Sequence, residues 1–388
     1  MLNLEEMKQD KNQERQAGMN QGTVIIGGGV IGLAMGWKLL QRGEPVTLLE
    51  KGETGHEASW AAAGMLAPVG EIHFQEEDNM RLGMESLRLY PRFVEEVEAA
   101  SGMEVGFRQE GGLSIALHAD DSAELRHKFD YQQALELPVR WLRGEEVLEL
   151  EPALSPNVVA GVHSPADYQV DNRKLVEALK AAFLKGGGDL HENLPVEEVI
   201  LHEDSAPTIM AGGKEWRGER VLLAAGSWSG MIPGLSSALR PWVRPVKGQI
   251  LAIQADPAML RHNVRTPDVY IVPRLDGRLV VGATVEEMGY NRDLTVGGIF
   301  ELLRGAWRAI PGVFELPVQE TWCGFRPGSR DNAPILGETE IPGFFIATGH
   351  FRNGILNTPA TIEGMTQVML DGATPPWLAP FSPRRFDR

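Results

Sequence analysis

Three glycines and one carboxylate near the start of the chain have the types and spacing that a dinucleotide site needs. Gly27, Gly29 and Gly32 form a G-x-G-x-x-G pattern, and Glu50 follows further along the chain. In such a pattern the first glycine permits a tight turn, the second lets backbone approach a pyrophosphate, and the third lets a helix pack on a strand. A carboxylate at Glu50 would accept hydrogen bonds from ribose hydroxyls and repel a 2′-phosphate, which disfavours NADP. The pattern leaves FAD and NAD open, and an ordinary glycine-rich turn is the alternative.

The sequence around these glycines predicts the strand–helix–strand unit that would position them. Residues 23–26 are a short apolar run typical of a buried strand, and residues 46–49 are a second one. Residues 30–42 are mostly apolar and long enough for a helix, and Gly43 stands where a helix C-terminal glycine is expected. The N-terminus of such a helix offers free N–H groups and the positive end of its dipole to a phosphate.

Composition and charge narrow the class of protein. The 388 residues are enough for two domains, and 43% hydrophobic and 23% charged residues are ordinary for a soluble globular protein. The net charge of −16 argues against nucleic acid or an anionic membrane as the main partner. The apolar runs are too short for a membrane span.

The single cysteine and the polar N-terminus bear on location. Cys323 alone cannot form an internal disulfide, leaves no cysteine-rich metal site and fits a reducing compartment, so we expect a cytoplasmic protein without a metal. Residues 1–21 are polar with charges of both signs. We therefore expect a disordered extension rather than a secretory signal, with Met19 as an alternative start.

The order of the predicted elements indicates an α/β protein of two domains. Buried strands at residues 219–225 and 344–347 are each followed by a small-residue turn and return the chain to the nucleotide-binding unit. Strands predicted between them belong to a second, sheet-rich domain. We expect a Rossmann-like domain of residues 22–100, 150–238 and 325–380, and an inserted, mainly antiparallel substrate domain of residues 101–149 and 239–324.

A hairpin is predicted in the second domain. Asp276 and Gly277 lie between two runs rich in β-branched residues, which is a strong signal for a tight turn between paired strands. Side chains alternate along a strand, so Tyr270 and Val272 should lie on the same face of this hairpin.

Taken together, segments along most of the chain resemble the glycine oxidase and D-amino acid oxidase family of FAD-dependent amine oxidases, and within it the glycine oxidases of thiamine biosynthesis. The resemblance runs from Gly22 to about Met369 and depends on the order and spacing of its segments. These are VIIGGGVIGLA, LLEKG, ASWAAAGMLAP, VLLAAGSWS, PVKGQIL, YIVPRLDGRLVVGATVE, WCGFRPGSRDNAPILG and ATGHFRNGILNTPAT. The family implies non-covalent FAD rather than NAD. Covalent attachment at Cys323 is the alternative to a structural thiol there.

The resemblance also implies which residues contact the cofactor. They comprise the glycine turn, the ribose-binding acid and its neighbour, the Ala- and Gly-rich stretch beside the flavin, one adenine contact, and two small-residue turns. The expected residues are Gly27, Gly29, Val30, Ile31, Gly32, Glu50, Lys51, Ala58, Ser59, Ala63, Gly64, Met65, Val196, Ala225, Gly226, His350, Phe351, Arg352, Asn353, Gly354, Ile355 and Leu356. The turn before the last helix would direct N–H groups at the flavin edge where negative charge develops on reduction.

The reaction implied by the resemblance is oxidative deamination of glycine or another small amine. Hydride passes from the substrate α-carbon to flavin N5, the imine hydrolyses to glyoxylate and ammonia, and O2 reoxidises the flavin to give hydrogen peroxide. Hydride transfer from a neutral amine needs no protein base, so no catalytic acid or base is assigned. The site must instead position the substrate, which contributes about 7–11 kcal/mol in good model systems.

Five residues are expected to bind or enclose the substrate. Arg326 is the first choice for the carboxylate, because a guanidinium holds two carboxylate oxygens at once; a surface ion pair is its alternative. Tyr270 would be the second partner through its hydroxyl, and Arg352 should lie near the flavin. Val285 and Ala67 are expected to shape the far wall, which leaves glycine, sarcosine and D-alanine open as substrates.

The resemblance implies further partners and leaves rival functions. It implies O2 as a reactant, a homotetramer, and transfer of the imine to a thiazole synthase. The rival enzyme is a D-amino acid or sarcosine dehydrogenase that passes electrons to a quinone. The rival from another class is a flavin-binding regulatory protein without turnover.

Overall fold

The computed structural model describes residues 22–74 and 76–386, and it has the α/β architecture that the sequence predicts. Two large sheets, one mainly parallel and one mainly antiparallel, dominate the fold. The expectation for residues 1–21 lies outside the described residues. No helix within the described ranges is long and apolar enough to cross a membrane.

A six-stranded sheet carries the predicted dinucleotide unit. Its neighbouring strands pair in parallel except at one edge, where the last two strands of the chain pair antiparallel. Across the sheet the strands are Ile335–Glu338, Phe344–Thr348, Arg220–Leu223, Thr23–Ile26, Val46–Leu49 and Asp189–His191. The first strand of the chain is therefore central, as expected for a Rossmann-like sheet.

Alternate residues of this sheet face two different layers. Ile25 and Leu48 face a core formed with the long helices, whereas Val24 and Leu49 face a small antiparallel sheet on the other side. The helices of this core are Val30–Gln41, Glu77–Ser101, Asn172–Lys185 and Gly354–Thr366, and Glu77–Ser101 packs on the last two of them. The small sheet comprises Val196–Ile200, Thr208–Ala211 and Lys214–Trp216.

An eight-stranded sheet forms the second unit. All its neighbouring strands are antiparallel except one pair, Gly112–Ala116 with Asn263–Arg265. In order across the sheet the strands are Val318–Ser329, Val243–Gln254, Arg278–Gly282, Tyr270–Pro273, Asn263–Arg265, Gly112–Ala116, Ala160–Ser164 and Arg140–Arg143. The remaining strands, Met65–Leu66 and Tyr168–Gln169, form a separate antiparallel pair.

The two faces of the eight-stranded sheet have different surroundings. One face packs on the helix Val296–Ala309 to form a closed apolar core. The other face contributes Tyr270, Val272 and Trp322 to a cluster with the small residues Ala61 and Ala63. This arrangement confirms the predicted hairpin and the shared face of Tyr270 and Val272. The remaining helices are Ala58–Ala61, Ala119–Ala134 and Gly144–Leu150.

The predicted domain boundaries remain predictions, although two strands bear on them. Strand Ala160–Ser164 pairs within the eight-stranded sheet but lies in the range expected for the Rossmann-like domain. Strand Val318–Ser329 crosses the boundary expected after residue 324. A strand that continues from one unit into the other carries no local turn signal, so the sequence pattern does not show the junction.

Candidate cofactor and substrate site

A cavity of about 620 Å³ lies between the carboxyl ends of the six-stranded sheet and the open face of the eight-stranded sheet. The crevice beyond the carboxyl ends of parallel strands is where open α/β sheets bind ligands. The cavity has two chemically different ends. We call the part beside the glycine turn the cofactor end and the part beside the eight-stranded sheet the substrate end.

The glycine turn leaves its backbone open to the cofactor end. Gly27 has φ +108°, and a Cβ there would lie 2.5 Å from the Ala224 carbonyl oxygen. Helix Val30–Gln41 follows Gly29, which has no capping side chain, and its first turn has no acidic residue. The Val30 amide donates to Ser59 Oγ at 2.9 Å, and the positive end of the helix dipole still favours an anion at this turn. Gly32 does not line the cavity, because a Cβ at this position would collide with the Gly27 carbonyl instead.

Glu50 lies beside this turn, and the backbone holds it in place. Its carboxylate accepts hydrogen bonds from the amides of Gly28 at 2.6 Å and Gly52 at 2.9 Å. Each carboxylate oxygen has a further acceptor site, so the side chain can still accept from a ribose hydroxyl. Lys51 lines the cavity next to it and places its ammonium 3.2 Å from the centre of the Trp228 ring. Burial lowers the pKa of Lys51, against the attraction of Glu57 and Glu50.

The Ala- and Gly-rich stretch forms the adjoining wall. The five residues expected to face a flavin all line the cavity: Ala58, Ser59, Ala63, Gly64 and Met65. Gly64 has φ +66°, and a Cβ there would collide with the Val170 carbonyl, so this position requires glycine. Small side chains here let backbone approach a flat ring, and the site fits an isoalloxazine on this ground.

The turn into the last helix completes the cofactor end. His350, Phe351, Arg352, Gly354 and Ile355 line the cavity, as do Val196, Ala225 and Gly226 from other segments. Burial lowers the pKa of His350 to about 3, so its imidazole is neutral, and it pairs with Thr361 Oγ1 at 3.1 Å. Asn353 and Leu356 do not line the cavity. Leu356 is buried on helix Gly354–Thr366, and Asn353 is half-buried in the short turn before that helix.

Arg326 lies at the substrate end without a carboxylate partner. Its Nη1 donates to the carbonyls of Thr284 at 3.1 Å and Lys247 at 3.4 Å, and no carboxylate of the described residues lies within 4.0 Å. Gly248 leaves room for the Arg326 guanidinium, because a Cβ at residue 248 would lie 2.5 Å from both terminal nitrogens of Arg326. A guanidinium held by two carbonyls and facing a cavity is positioned to bind an anionic ligand.

Tyr270 lies next to Arg326, on the same side of the sheet. Its phenol crosses over Gly282, where a Cβ would collide with the ring. Burial raises the pKa of Tyr270, and the neighbouring Arg326 opposes that rise. The hydroxyl therefore stays protonated and can donate a hydrogen bond to a carboxylate.

Arg352 also lines the cavity, but acidic residues already hold its guanidinium. Nη2 pairs with the carboxylate of Glu76 and donates to the Glu71 carbonyl at 3.3 Å. Its Nε is buried, has no hydrogen-bond partner among the described residues and lies 4.0 Å from Glu71 Oε2, so two carboxylates surround this guanidinium. Arg352 is therefore a weaker carboxylate anchor than Arg326.

The two residues expected at the far wall differ in position. Val285 lines the cavity and is 72% exposed, so it can limit the size of a ligand. Ala67 is buried and does not line the cavity. Its carbonyl instead accepts a hydrogen bond from the Glu71 amide at 3.0 Å, in the turn that brings Glu71 to the cavity.

The structure adds residues that the sequence did not suggest. Arg265 and Glu71 both line the substrate end and form an ion pair there. Trp228 lines the cofactor end. The Thr266-Pro267-Asp268 sequence between Arg265 and Tyr270 was a turn signal that could have placed these two residues side by side. Nothing in the sequence indicated that Glu71 faces the cavity.

Cys323 lies on the same strand as Arg326 but does not line the cavity. Its side chain is half-buried, and its Sγ donates to the Arg292 carbonyl at 3.3 Å. Burial raises the pKa of the thiol. The residue therefore has no contact with the cofactor end, in line with a structural thiol.

Comparison with known proteins identifies relatives along nearly the whole chain. The DAO family of FAD-dependent oxidoreductases matches residues 23–367. The chain is 34% identical to a glycine oxidase of Geobacillus kaustophilus over 92% of its own length and 95% of that protein. The crystal structure of a glycine oxidase from the same species superposes with a TM-score of 0.87, at 33% identity over 94% of this chain and 99% of that one.

A second kind of relative is longer. The chain is 35% identical to the bifunctional protein ThiO/ThiG of a Synechocystis species, over 94% of its own length. It spans only 54% of that relative, so it matches about half of the two-part protein.

Proposed function

The chain belongs to the DAO family of FAD-dependent oxidoreductases, and we propose that it oxidises glycine and other small amines. Its cofactor is FAD, and the backbone-lined cofactor end fits that group. The observation that carries the proposal is the position of Arg326 at the other end of the same cavity, a cation that no carboxylate of residues 22–74 and 76–386 pairs with. Glycine oxidase relatives at this level of identity support the choice of substrate.

The residues of the substrate end bind and orient rather than transfer protons. Arg326 and Tyr270 hold the substrate carboxylate, which fixes the direction of the Cα–H bond relative to the cofactor end. Bound FAD supplies the two-electron acceptor. The pKa of His73, the histidine at this end, is lowered, chiefly by burial and also by Arg352. A neutral substrate amine needs no protein base, so catalysis here depends on positioning.

The net reaction balances with oxygen and water. Glycine, O2 and water give glyoxylate, ammonia and hydrogen peroxide, with an imine of the substrate as the species that water hydrolyses. Sarcosine and D-alanine are included in the proposal because Val285 borders an open part of the cavity. One added methyl group changes binding by only about 1–3 kcal/mol.

The proposal extends to the biological setting. The relative named ThiO/ThiG supports a role in forming the thiazole of thiamine, with the imine transferred to a thiazole synthase. A cytoplasmic location and a homotetramer belong to the same proposal.

The test is the absorption spectrum of the purified protein before and after glycine is added without oxygen. We expect a flavin spectrum that bleaches with glycine, followed by one hydrogen peroxide per glycine when air is admitted. Bleaching by sarcosine or D-alanine but not by glycine would change the preferred substrate. Bleaching without peroxide in air would favour the dehydrogenase that passes electrons to a quinone. A flavin spectrum that no amine bleaches would contradict the proposed activity.

A further inference from the structure

A second cationic side chain, Arg265, stands beside the proposed carboxylate site in a position fixed by the sheet. Arg265 ends its strand directly opposite Tyr270 in the antiparallel register, and Tyr270 is opposite Gly282. Opposed residues of an antiparallel pair project to the same face. The guanidinium carbon lies 5.9 Å from the centre of the Tyr270 ring, and both side chains line the cavity.

Arg265 keeps donors for a ligand. Its Nη2 pairs with the Glu71 carboxylate and lies 3.9 Å from Met65 Sδ. Among residues 22–74 and 76–386, no hydrogen bond involves its Nε or Nη1. A guanidinium has five N–H donors, so most of those on Arg265 can still be directed at a ligand. Its side chain is 30% exposed in a cavity that the proposed substrate must enter.

The charges around Arg265 favour an anionic ligand. The cations at or behind the substrate end are Arg326, Arg265, Arg352 and Lys128. The facing carboxylates are Glu71, Glu76 and Asp167, while Asp268 at the rim is held by Arg308. Burial raises the pKa of Asp167 to about 7 and lowers that of Lys128 to about 8. The four cations face three carboxylates, and the raised pKa of Asp167 weakens the negative charge of one of them, so this end of the cavity keeps an excess of positive charge that an anionic ligand would compensate.

Arg326 and Arg265 approach different atoms of Tyr270. Both oppose the rise in the pKa of the Tyr270 hydroxyl, Arg326 more strongly, and the Arg265 guanidinium carbon lies 5.9 Å from the ring centre. When Arg326 and Tyr270 hold one carboxylate, Arg265 still has Nε and Nη1 without a hydrogen bond within the described residues. A ligand that extends along the phenol could therefore present a second carboxylate to the Arg265 guanidinium.

We propose that Arg265 is a specificity-determining residue that binds a second carboxylate, and that the enzyme accepts amino acids with an acidic side chain, represented by D-aspartate. This inference rests on the proposed function and widens its substrate class. The bonds broken are those of the glycine reaction. D-aspartate, O2 and water would give oxaloacetate, ammonia and hydrogen peroxide.

The test compares D-aspartate with D-asparagine, which has the same shape without the second charge, on the purified holoenzyme. We expect kcat/KM for D-aspartate to exceed that for D-asparagine by at least about tenfold, as for a charge-assisted hydrogen bond. Arg265→Met should bring this ratio close to one. The matched control is Arg304→Met, since Arg304 is an exposed arginine paired with Glu301, and it should leave the ratio unchanged.

The outcomes separate the inference from the proposed function. If glycine bleaches the flavin but kcat/KM is equal for D-aspartate and D-asparagine, the inference is overturned and the proposed function stands. The same holds if Arg265→Met leaves the ratio of the two kcat/KM values unchanged. Oxidation of D-aspartate with the expected ratio, but not of glycine, would overturn the proposed substrate and support the inference. If Arg265→Met loses FAD, the second-carboxylate site is tested on the unmodified enzyme instead. Flavin difference spectra then give the dissociation constants of succinate, which has two carboxylates, and of succinamate, which has one. Equal constants would overturn the inference.

Discussion

The two ends of the cavity are constructed in opposite ways. The cofactor end is formed largely by backbone and small side chains, such as Gly27, Gly29 and Ala58, with Glu50 and Lys51 beside them. The substrate end is formed by long polar side chains, such as Arg326 and Tyr270, that project from strands of the eight-stranded sheet. A cofactor with phosphates and a flat ring needs amides and close approach, whereas a small carboxylate needs a guanidinium in a fixed direction.

Because of this difference, we expect cofactor binding and substrate binding to be lost through different substitutions. Loss of backbone space should remove the cofactor, and loss of a charged side chain should weaken substrate binding while the cofactor stays. Variants at each end therefore test the two constructions separately.

The largest effect at the cofactor end is expected from Gly27→Ala. The added Cβ would lie 2.5 Å from the Ala224 carbonyl oxygen, at φ +108°, so FAD affinity should fall at least about tenfold. The FAD affinity is measured by titrating each variant with FAD and recording the flavin absorbance per protein. Gly43→Ala is the matched control, because Gly43 also has positive φ but nothing within 4 Å of the new Cβ. Equal flavin occupancy in both variants would contradict the account.

A smaller effect is expected from Tyr270→Phe at the substrate end. The loss of one hydrogen bond to the carboxylate should lower kcat/KM for glycine by about 3–30-fold with FAD retained. Tyr290→Phe is the paired variant, since the Tyr290 hydroxyl donates to the Ser227 carbonyl at 2.6 Å, away from the proposed carboxylate site. Steady-state kinetics of both variants should show the larger loss for Tyr270→Phe, and the reverse order would be evidence against the assignment.

The smallest effect is a pH-dependent change in stability beneath the substrate end. Asp167 accepts hydrogen bonds from the amides of Val69 and Gly70 and so supports the turn that carries Glu71. Burial raises the pKa of Asp167 from 3.8 to about 7, so the folded protein holds this proton more tightly than the unfolded chain. The resulting stabilisation is present below the unfolded pKa and is lost as the pH rises through about 7.

The Tm of the unmodified protein should therefore fall relative to that of Asp167→Asn as the pH is raised from about 4 to about 8. Thermal unfolding of both proteins across that range measures the difference. A constant difference in Tm would show that Asp167 does not titrate in this window.

The cofactor end was the more predictable of the two because its signals are local. The strand, the glycine turn and the helix up to Gln41 follow from consecutive residues, and the structure places them as predicted. Gly32 is the exception, since its role is to let the helix pack on Gly27 rather than to face the cavity. Leu356 likewise belongs to the helix that follows the turn, and Asn353 is the last residue before that helix.

The substrate end depended on pairings between distant parts of the chain. Arg326 and Tyr270 came from the family resemblance, since no local pattern separates a binding arginine from a surface one. Arg265 reaches the cavity through its strand register with Tyr270, and Glu71 through a turn supported by Asp167. Ala67 was expected in the wall, but the same turn draws it inside. Such placements need three-dimensional contacts that a single sequence does not display.

The most direct test of the account is flavin reduction by glycine in Arg326→Ala, measured without oxygen in a stopped-flow instrument. Removal of two charge-assisted hydrogen bonds should raise the half-saturating glycine concentration by about 100-fold or more, while the flavin spectrum shows FAD still bound. Arg304→Ala serves as the surface control. A half-saturating concentration equal to that of the unmodified enzyme would contradict the central claim that Arg326 anchors the substrate.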